Sequence, residues 1–542
     1  MSILSKARFL MWVAASVLVA LPSWAASGPR GPLVSAEWLR ENHGRPEVLV
    51  LDASPPPLHA KEHIPGAVAA SVMSYGMREM PAAAMERIFQ AWGVSAGRKV
   101  VLYDQGEPIW ATRLYFDLER HGFPLEDLFV LDGGLAKWKA IGGVVTKEPT
   151  PAPAPGNFRV SGPKEEMRVR LPEFLAASSD TRSNALVEAL NPEWHFGESA
   201  FFDRGGHIPY GILLPSIDLY NADRTFKSPE EIRRMLDYLG VKPQQQVLTY
   251  CGGGVAAAVP WFAMKHLLGY PKVRLYVESE MEWLRDDRGL PFWTYGAPYL
   301  TRQTAWLKTW GGPMMRQFGI SNVSIVDVRP ADAFAFGHLP FALNVPAEEF
   351  RRHLSSPERL AEILAKAGVK ASDEAVVVSG AGLDKDSALA FLLLERLGQR
   401  RVSVFLDSQE KSMQAGLALA DPKKTPASPP KPAAAWAASP REGVLIGSPG
   451  ETRGAYPKVF VASGKELPAR VPEGKVVHVP YTELLDADGS PKAAKDIWKI
   501  LVKAGVPRYA ELVSFSDDPG EAAVGYFVLR LMGFPDVKVM GM

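Results

Sequence analysis

Four times along the chain a short apolar run is followed by a polar loop, a stretch of helical periodicity and a second apolar run. The first block reads as strand 100–103, helix 110–121 and strand 128–132. The pattern returns as 247–250, 255–268 and 273–277, then as 376–379, 387–397 and 402–406, and last as 512–515, 521–532 and 537–540. The apolar runs do not alternate with polar residues, so these strands are expected to be buried on both faces. Strand–helix alternation with short loops predicts an α/β fold, in which each copy is a mostly parallel sheet with helices on both faces. Each block is preceded by a predicted helix that stops at Gly-Val: Gly93-Val94, Gly240-Val241, Gly368-Val369 and Gly505-Val506. Glycine at that point suits a helix C-terminus.

Upstream, three copies carry a His-Pro turn: His63-Ile64-Pro65, His207-Ile208-Pro209 and His338-Leu339-Pro340. The strand before it ends on an acid: Asp52, Glu188 or Asp327. Copy four shows only the later half of the pattern. Proline-rich stretches at 149–156 and 421–440 read as linkers. The expected division is 30–148, 165–297, 300–420 and 441–542, with 421–440 as a Pro/Ala/Lys linker and 1–25 set apart.

The 542 residues are 47% hydrophobic and 22% charged, with 61 basic against 60 acidic side chains. Such a chain is neither a disordered charged tail nor a multi-span membrane protein, and it has no basic footprint for nucleic acid. At the N-terminus, Lys6 and Arg8 precede an apolar stretch at 9–21, then Pro22 and Ser23-Trp24-Ala25. These are the parts of a cleavable signal peptide, with cleavage expected after Ala25. The mature protein is then expected in the periplasm, free of the membrane; an uncleaved anchor is the other reading.

Cys251 is the only cysteine. Exported proteins usually pair their thiols, so a lone one is either buried and inert or does chemistry. One cysteine and ten scattered histidines show no metal-ligand spacing, and neither a metal nor a cofactor is expected. Cys251 opens the loop Cys251-Gly252-Gly253-Gly254-Val255-Ala256 between a strand and the next predicted helix. A sulfur there meets free backbone N–H groups and the positive end of a helix, which favour thiolate. Three glycines let the backbone curl those groups around one centre. This suits nucleophilic attack on a sulfane sulfur.

The block at 250–276, with Arg204-Gly205-Gly206-His207-Ile208-Pro209 upstream, resembles the active-site half of a rhodanese-family sulfurtransferase. Copies one and three resemble further rhodanese-like domains that lack the cysteine, and copy four a degenerate one. The resemblance implies a catalytic persulfide on Cys251, with Gly252, Gly253, Gly254, Val255 and Ala256 cradling it. It implies a small sulfur donor, thiosulfate or 3-mercaptopyruvate, and a thiophilic acceptor such as cyanide or a thiol. Copies one and two are expected to form a two-domain pair with the site at their interface, while copies three and four are candidates for docking a protein partner. The alternative is a sulfane-sulfur carrier whose Cys-less domains bind that partner.

This chain departs from the family pattern in copy two. Glu188-Ala189-Leu190 stands where Asp-x-Arg is common, Val277-Glu278-Ser279-Glu280 precedes Trp283, and Pro260 is expected to kink the helix. Arg204 is the candidate to bind an anionic donor, with Arg224 behind it. Aligned on the loop, the four copies hold Asp104, Cys251, Gly380 and Ser516. In copy one, Glu107 and Pro108 replace Gly254 and Val255, so that loop is expected to lack the N–H cradle. Because the His-Pro turns persist without the thiol, their histidines are read as shaping a turn, and Trp138 and Trp283 as packing.

Overall fold

The computed structural model describes residues 31–541 except 76–79, 107–108, 201, 381 and 421–440. The expected signal segment, the long linker, Glu107 and Pro108 lie outside the described residues. Each copy builds one five-stranded parallel sheet, and all four share one strand order: first, fifth, fourth, second, third. In copy two these are Arg168–Val169, Val273–Tyr276, Gln246–Tyr250, Asn184–Glu188 and Gly211–Leu213. The inner strands are buried along almost their whole length, as helices on both faces require.

Copy four is complete. Leu445–Ile446, Lys458–Ala462 and Lys475–His478 supply the half that the sequence pattern hides. What it lacks is the His-Pro turn, not the strands. The Gly-Val stops behave as expected. Helix Pro229–Leu239, for example, starts on a Ser228/Glu231 capping box and ends at Gly240 with φ 78°.

The copies associate in pairs. Helix Ile109–Arg120 of copy one packs on Ala258–Phe262 of copy two, with Tyr115 edge-on to Phe262 and Phe116 edge-on to Trp261, each at 5.0 Å. One apolar core runs through both copies. Helix Lys385–Arg396 of copy three packs in the same way on Pro519–Leu531 of copy four, with Phe391 edge-on to Phe527 at 4.9 Å, around a second shared core. Helices apolar on nearly every side are those of an interior, and here the interior lies between two domains. Smaller cores cover the outer face of each sheet.

The two pairs meet where copy four sits on copy two. Tyr509 donates to Asp218 at 2.9 Å, Arg508 pairs with the same carboxylate at 3.0 Å, Tyr238 donates to the Ala510 carbonyl at 2.9 Å, and Trp498 stacks on Phe196. No described helix is long and apolar enough to cross a membrane.

Candidate active site

Strand Gln246–Tyr250 ends under copy one, and the chain leaves it at Cys251, which is 2% exposed. The loop is held from its far side by the segment after strand Val273–Tyr276. The Cys251 N–H donates to Ser279 Oγ at 3.1 Å, and Ser279 Oγ donates to the Tyr276 carbonyl at 2.6 Å. The carbonyls of Cys251 and Gly252 accept the N–H groups of Glu280 and Met281 at 3.0 and 2.9 Å. Copy one closes the other side, where Arg113 Nη1 donates to the Gly254 carbonyl at 3.2 Å and the guanidinium and Cys251 lie within reach of one another's charge. Asp117 accepts from Arg113 Nε at 3.2 Å and from the Tyr75 hydroxyl at 2.5 Å, which sets the guanidinium in place.

At the sulfur itself, the Gly254 N–H reaches Sγ at 3.1 Å. Gly254 has φ +76°, and a Cβ there would meet the Val277 carbonyl oxygen at 2.4 Å, so no other residue fits without distortion. Among the described residues the N–H groups of Gly252, Gly253, Val255 and Ala256 donate to nothing, and helix Ala258–Phe262 has no side-chain cap. The loop thus carries unused donors beside the thiol. The helix begins three residues later than expected. Pro260 therefore falls in its first turn, where a missing N–H costs nothing, and the irregularity lies downstream as a π-turn at Ala263–Leu267.

The other copies fill this place with a side chain. In copy one, Asp104 accepts from the N–H groups of Gly106, Trp110 and Ala111 at 3.0–3.1 Å. Copy one therefore has an N–H cradle after all, built partly from helix residues that the loop alignment did not reach, and a carboxylate occupies it. Asp384 accepts from Asp386 and Ser387 in copy three, and Asp518 from Gly520 in copy four.

Arg204 does not face the loop. Its guanidinium donates to the carbonyls of Trp283, Leu284, Arg285 and Leu290 at 2.6–3.1 Å and lies over the Phe292 ring. It clamps the segment after the last strand, and a donor-binding role has no geometric support. Arg113 and Glu280 were not legible as site residues. Arg113 reads as half of an ordinary i,i+4 ion pair on another copy. Glu280 had a signal in the internal alignment, where it takes the place of Leu135. Both are buried, and their N–H groups make the same bond, Leu135 to the Asp104 carbonyl and Glu280 to that of Cys251. Burial, reinforced by Glu188 and Cys251, pushes the Glu280 carboxyl well above the usual carboxylate range, which favours its neutral form. Its Oε1 has no partner among the described residues.

Behind the loop, Glu188, His195 and His207 are close enough together to suggest a metal. Their geometry argues against one. The two imidazoles stack with centroids 3.6 Å apart and planes 8° from parallel, and in-plane lone pairs of stacked rings cannot converge on a single ion. Copy one repeats the arrangement with Asp52, His59 and His63, and in copy three Phe334 stacks on His338. Each His-Pro histidine also bonds through Nδ1 to the carbonyl of the residue it stacks on. A Phe in the stack marks a packing motif, as the turn-shaping reading expects. Burial pushes His195 and His207 down to about 3, so both rings are neutral.

The family model of the Rhodanese-like domain matches residues 35–141 and 314–411, the first copy of each pair. "Sulfur carrier protein TtuD" of Thermus thermophilus is 31% identical over 271 residues, covering 46% of this chain and 93% of that protein. "Probable 3-mercaptopyruvate sulfurtransferase" of Pseudomonas aeruginosa is 32% identical over 277 residues, 47% of this chain and 96% of that protein. Each relative is thus matched over about the length of one pair of copies. By these relationships and by its four parallel sheets, the chain belongs to the rhodanese family of sulfurtransferases.

Proposed function

We propose that copy two is the catalytic domain and that Cys251 carries sulfur as a persulfide. The observation that carries this reading is the loop itself. Copies one, three and four occupy their helix start with an aspartate, whereas copy two presents a thiol beside four N–H groups that have no acceptor among the described residues. Those donors suit the extra negative sulfur of a persulfide.

The thiolate attacks the outer sulfur of the donor. With thiosulfate, the S–S bond breaks and sulfite leaves with the electron pair. With 3-mercaptopyruvate, the C–S bond breaks and the pyruvate enolate leaves and takes up a proton. A thiophile such as cyanide or a thiol then attacks the outer sulfur of the persulfide and releases Cys251 as thiolate. Arg113 and the Gly254 N–H offset the charge at the loop.

The intact mass of the purified protein tests the first half. It should rise by one sulfur atom with donor and return with cyanide, and Cys251→Ser should abolish the gain while leaving the fold intact. Turnover tests the second half. The name of the Thermus relative favours the rival reading, a carrier that loads once and waits for a partner, and repeated thiocyanate formation from cyanide rejects it. The donor pair is separated by comparing kcat/KM for the two compounds. We also propose export to the periplasm with cleavage after Ala25: an N-terminal sequence beginning near Ala26 supports the cleavage, one beginning at Met1 in periplasmic protein refutes it, and absence of the protein from the periplasmic fraction refutes export.

A further inference from the structure

The seam between copies two and four forms a half-open cavity of about 350 Å³. That is the lower end of the range of small-molecule sites, roughly 300–1,000 Å³. Tyr210, Tyr299, Trp498 and Phe534 give it aromatic walls, Arg508 and Arg530 give it charge, and no Asp or Glu is among its described lining residues. Both arginines keep donors in reserve. Arg530 bonds through Nη1, to the Tyr526 hydroxyl at 2.7 Å and Glu395 at 3.2 Å, and its Nε and Nη2 have no acceptor among the described residues. Arg508 uses Nη2 on Asp218, the Leu213 carbonyl and the Tyr509 hydroxyl, while its Nη1 is buried and has no partner among the described residues. Asp218 and Glu395, the partners of these arginines, are not among the lining residues.

Guanidinium forks with free N–H groups select planar oxyanions, and aromatic walls select a flat apolar body. We propose that this cavity is a binding site for a small aromatic carboxylate, separate from the Cys251 loop. The ligand lies between the two pairs of copies and touches both, so it also strengthens their association. The inference does not depend on how Cys251 works.

Tyr210 offers a variant that leaves the fold intact. It follows the His-Pro turn at φ 63°, a conformation that favours glycine, and copy one has Gly66 at the same place with φ 75°. Calorimetric titration of the full chain with benzoate and indole-3-carboxylate should show saturable binding of one equivalent. Benzamide, the neutral analogue of benzoate, should bind at least tenfold more weakly. Arg530→Gln and Tyr210→Gly should each reduce affinity at least tenfold, and Tyr210→Gly should do so without lowering the thermal midpoint. Absence of saturable binding by both carboxylates overturns the proposal. So does equal binding of benzamide and benzoate, or an unchanged affinity in both variants.

Discussion

Copies one and two solve the same problem in opposite ways. In both, the central strand of the sheet ends under a helix whose first N–H groups need an acceptor. Copy one supplies it permanently, with the Asp104 carboxylate held by three N–H groups. Copy two leaves most of its donors open around Cys251. The residue facing the loop differs in the same sense: Leu135 in one copy, Glu280 in the other. A set of N–H donors at this helix start is therefore general in the fold. What distinguishes copy two is that no carboxyl of the chain is built into it, which is what the proposed sulfur-carrying role requires.

The strongest way to break the comparison is to give copy two the side chains of copy one. Cys251→Asp combined with Glu280→Leu should abolish sulfur loading entirely, read by intact mass. It should also stabilise the protein by about 2–3 kcal/mol, about 1 from the helix N-cap and about 1–2 from removal of the Glu280 carboxyl, read by denaturant unfolding. Destabilisation by several kcal/mol would mean that the two loops are not equivalent. Next in size is Gly254→Ala. The left-handed φ costs about 1–2 kcal/mol, and crowding against the Val277 carbonyl adds about 1–2 more. Loading should slow as well, because the one N–H that reaches Sγ is displaced; an unchanged rate would remove Gly254 from the site.

Asp104→Asn sharpens the comparison from the other side. An amide presents an NH₂ group to N–H donors, so the substitution should cost about 1–3 kcal/mol with no effect on sulfur loading. Its cost should depend on pH. Burial raises the Asp104 carboxyl to about 7 from 3.8. The folded state therefore keeps a proton that the unfolded state has lost, and the wild type loses this contribution as pH rises from about 4 to about 7. The variant has no such loss over that window, and an identical pH profile for both proteins would contradict the assignment.

The smallest expected effect is Glu280→Leu alone. It removes a buried carboxyl oxygen that has no partner, which should stabilise by about 1–2 kcal/mol. Because the folded carboxyl is raised above the ordinary 4.5, wild-type stability falls as pH climbs above that value, and the advantage of the leucine should grow with it. A flat difference between pH 5 and 8 would place Glu280 in water rather than beneath the loop.

The short-range features of the chain were legible because they are short-range. Runs such as those at 100–103 and 247–250 are apolar without alternation, which admits only strands covered on both sides. The Gly-Val stops follow from local helix termination, and the lone Cys251 among glycines marked the loop. The first half of copy four was hidden because its strands lack the His-Pro turn that flags the others. The late start of the helix after Cys251 was missed because periodicity continues through residues 255–257, while the backbone there is drawn into the loop by its bonds to Ser279, Glu280 and Met281.

Contacts between copies had no counterpart in the linear pattern. Arg113 and Gly254 are 141 positions apart, and only packing of one copy's helix against the next brings the guanidinium to the loop. Arg204 looked like an anion ligand because its charge is visible in sequence, whereas the four carbonyls that occupy it are not. The same holds for the second pair of copies. Its strands follow from hydrophobic pattern, but that copy four seats on copy two and forms a half-open cavity there depends on surfaces that exist only once each sheet has formed. Local periodicity and backbone termination thus determined the repeated α/β unit and the place of the thiol. The surroundings of that thiol were decided by tertiary structure, because charge, burial and hydrogen bonding at Cys251 are set by residues from another copy and from the segment that follows the neighbouring strand of its own sheet.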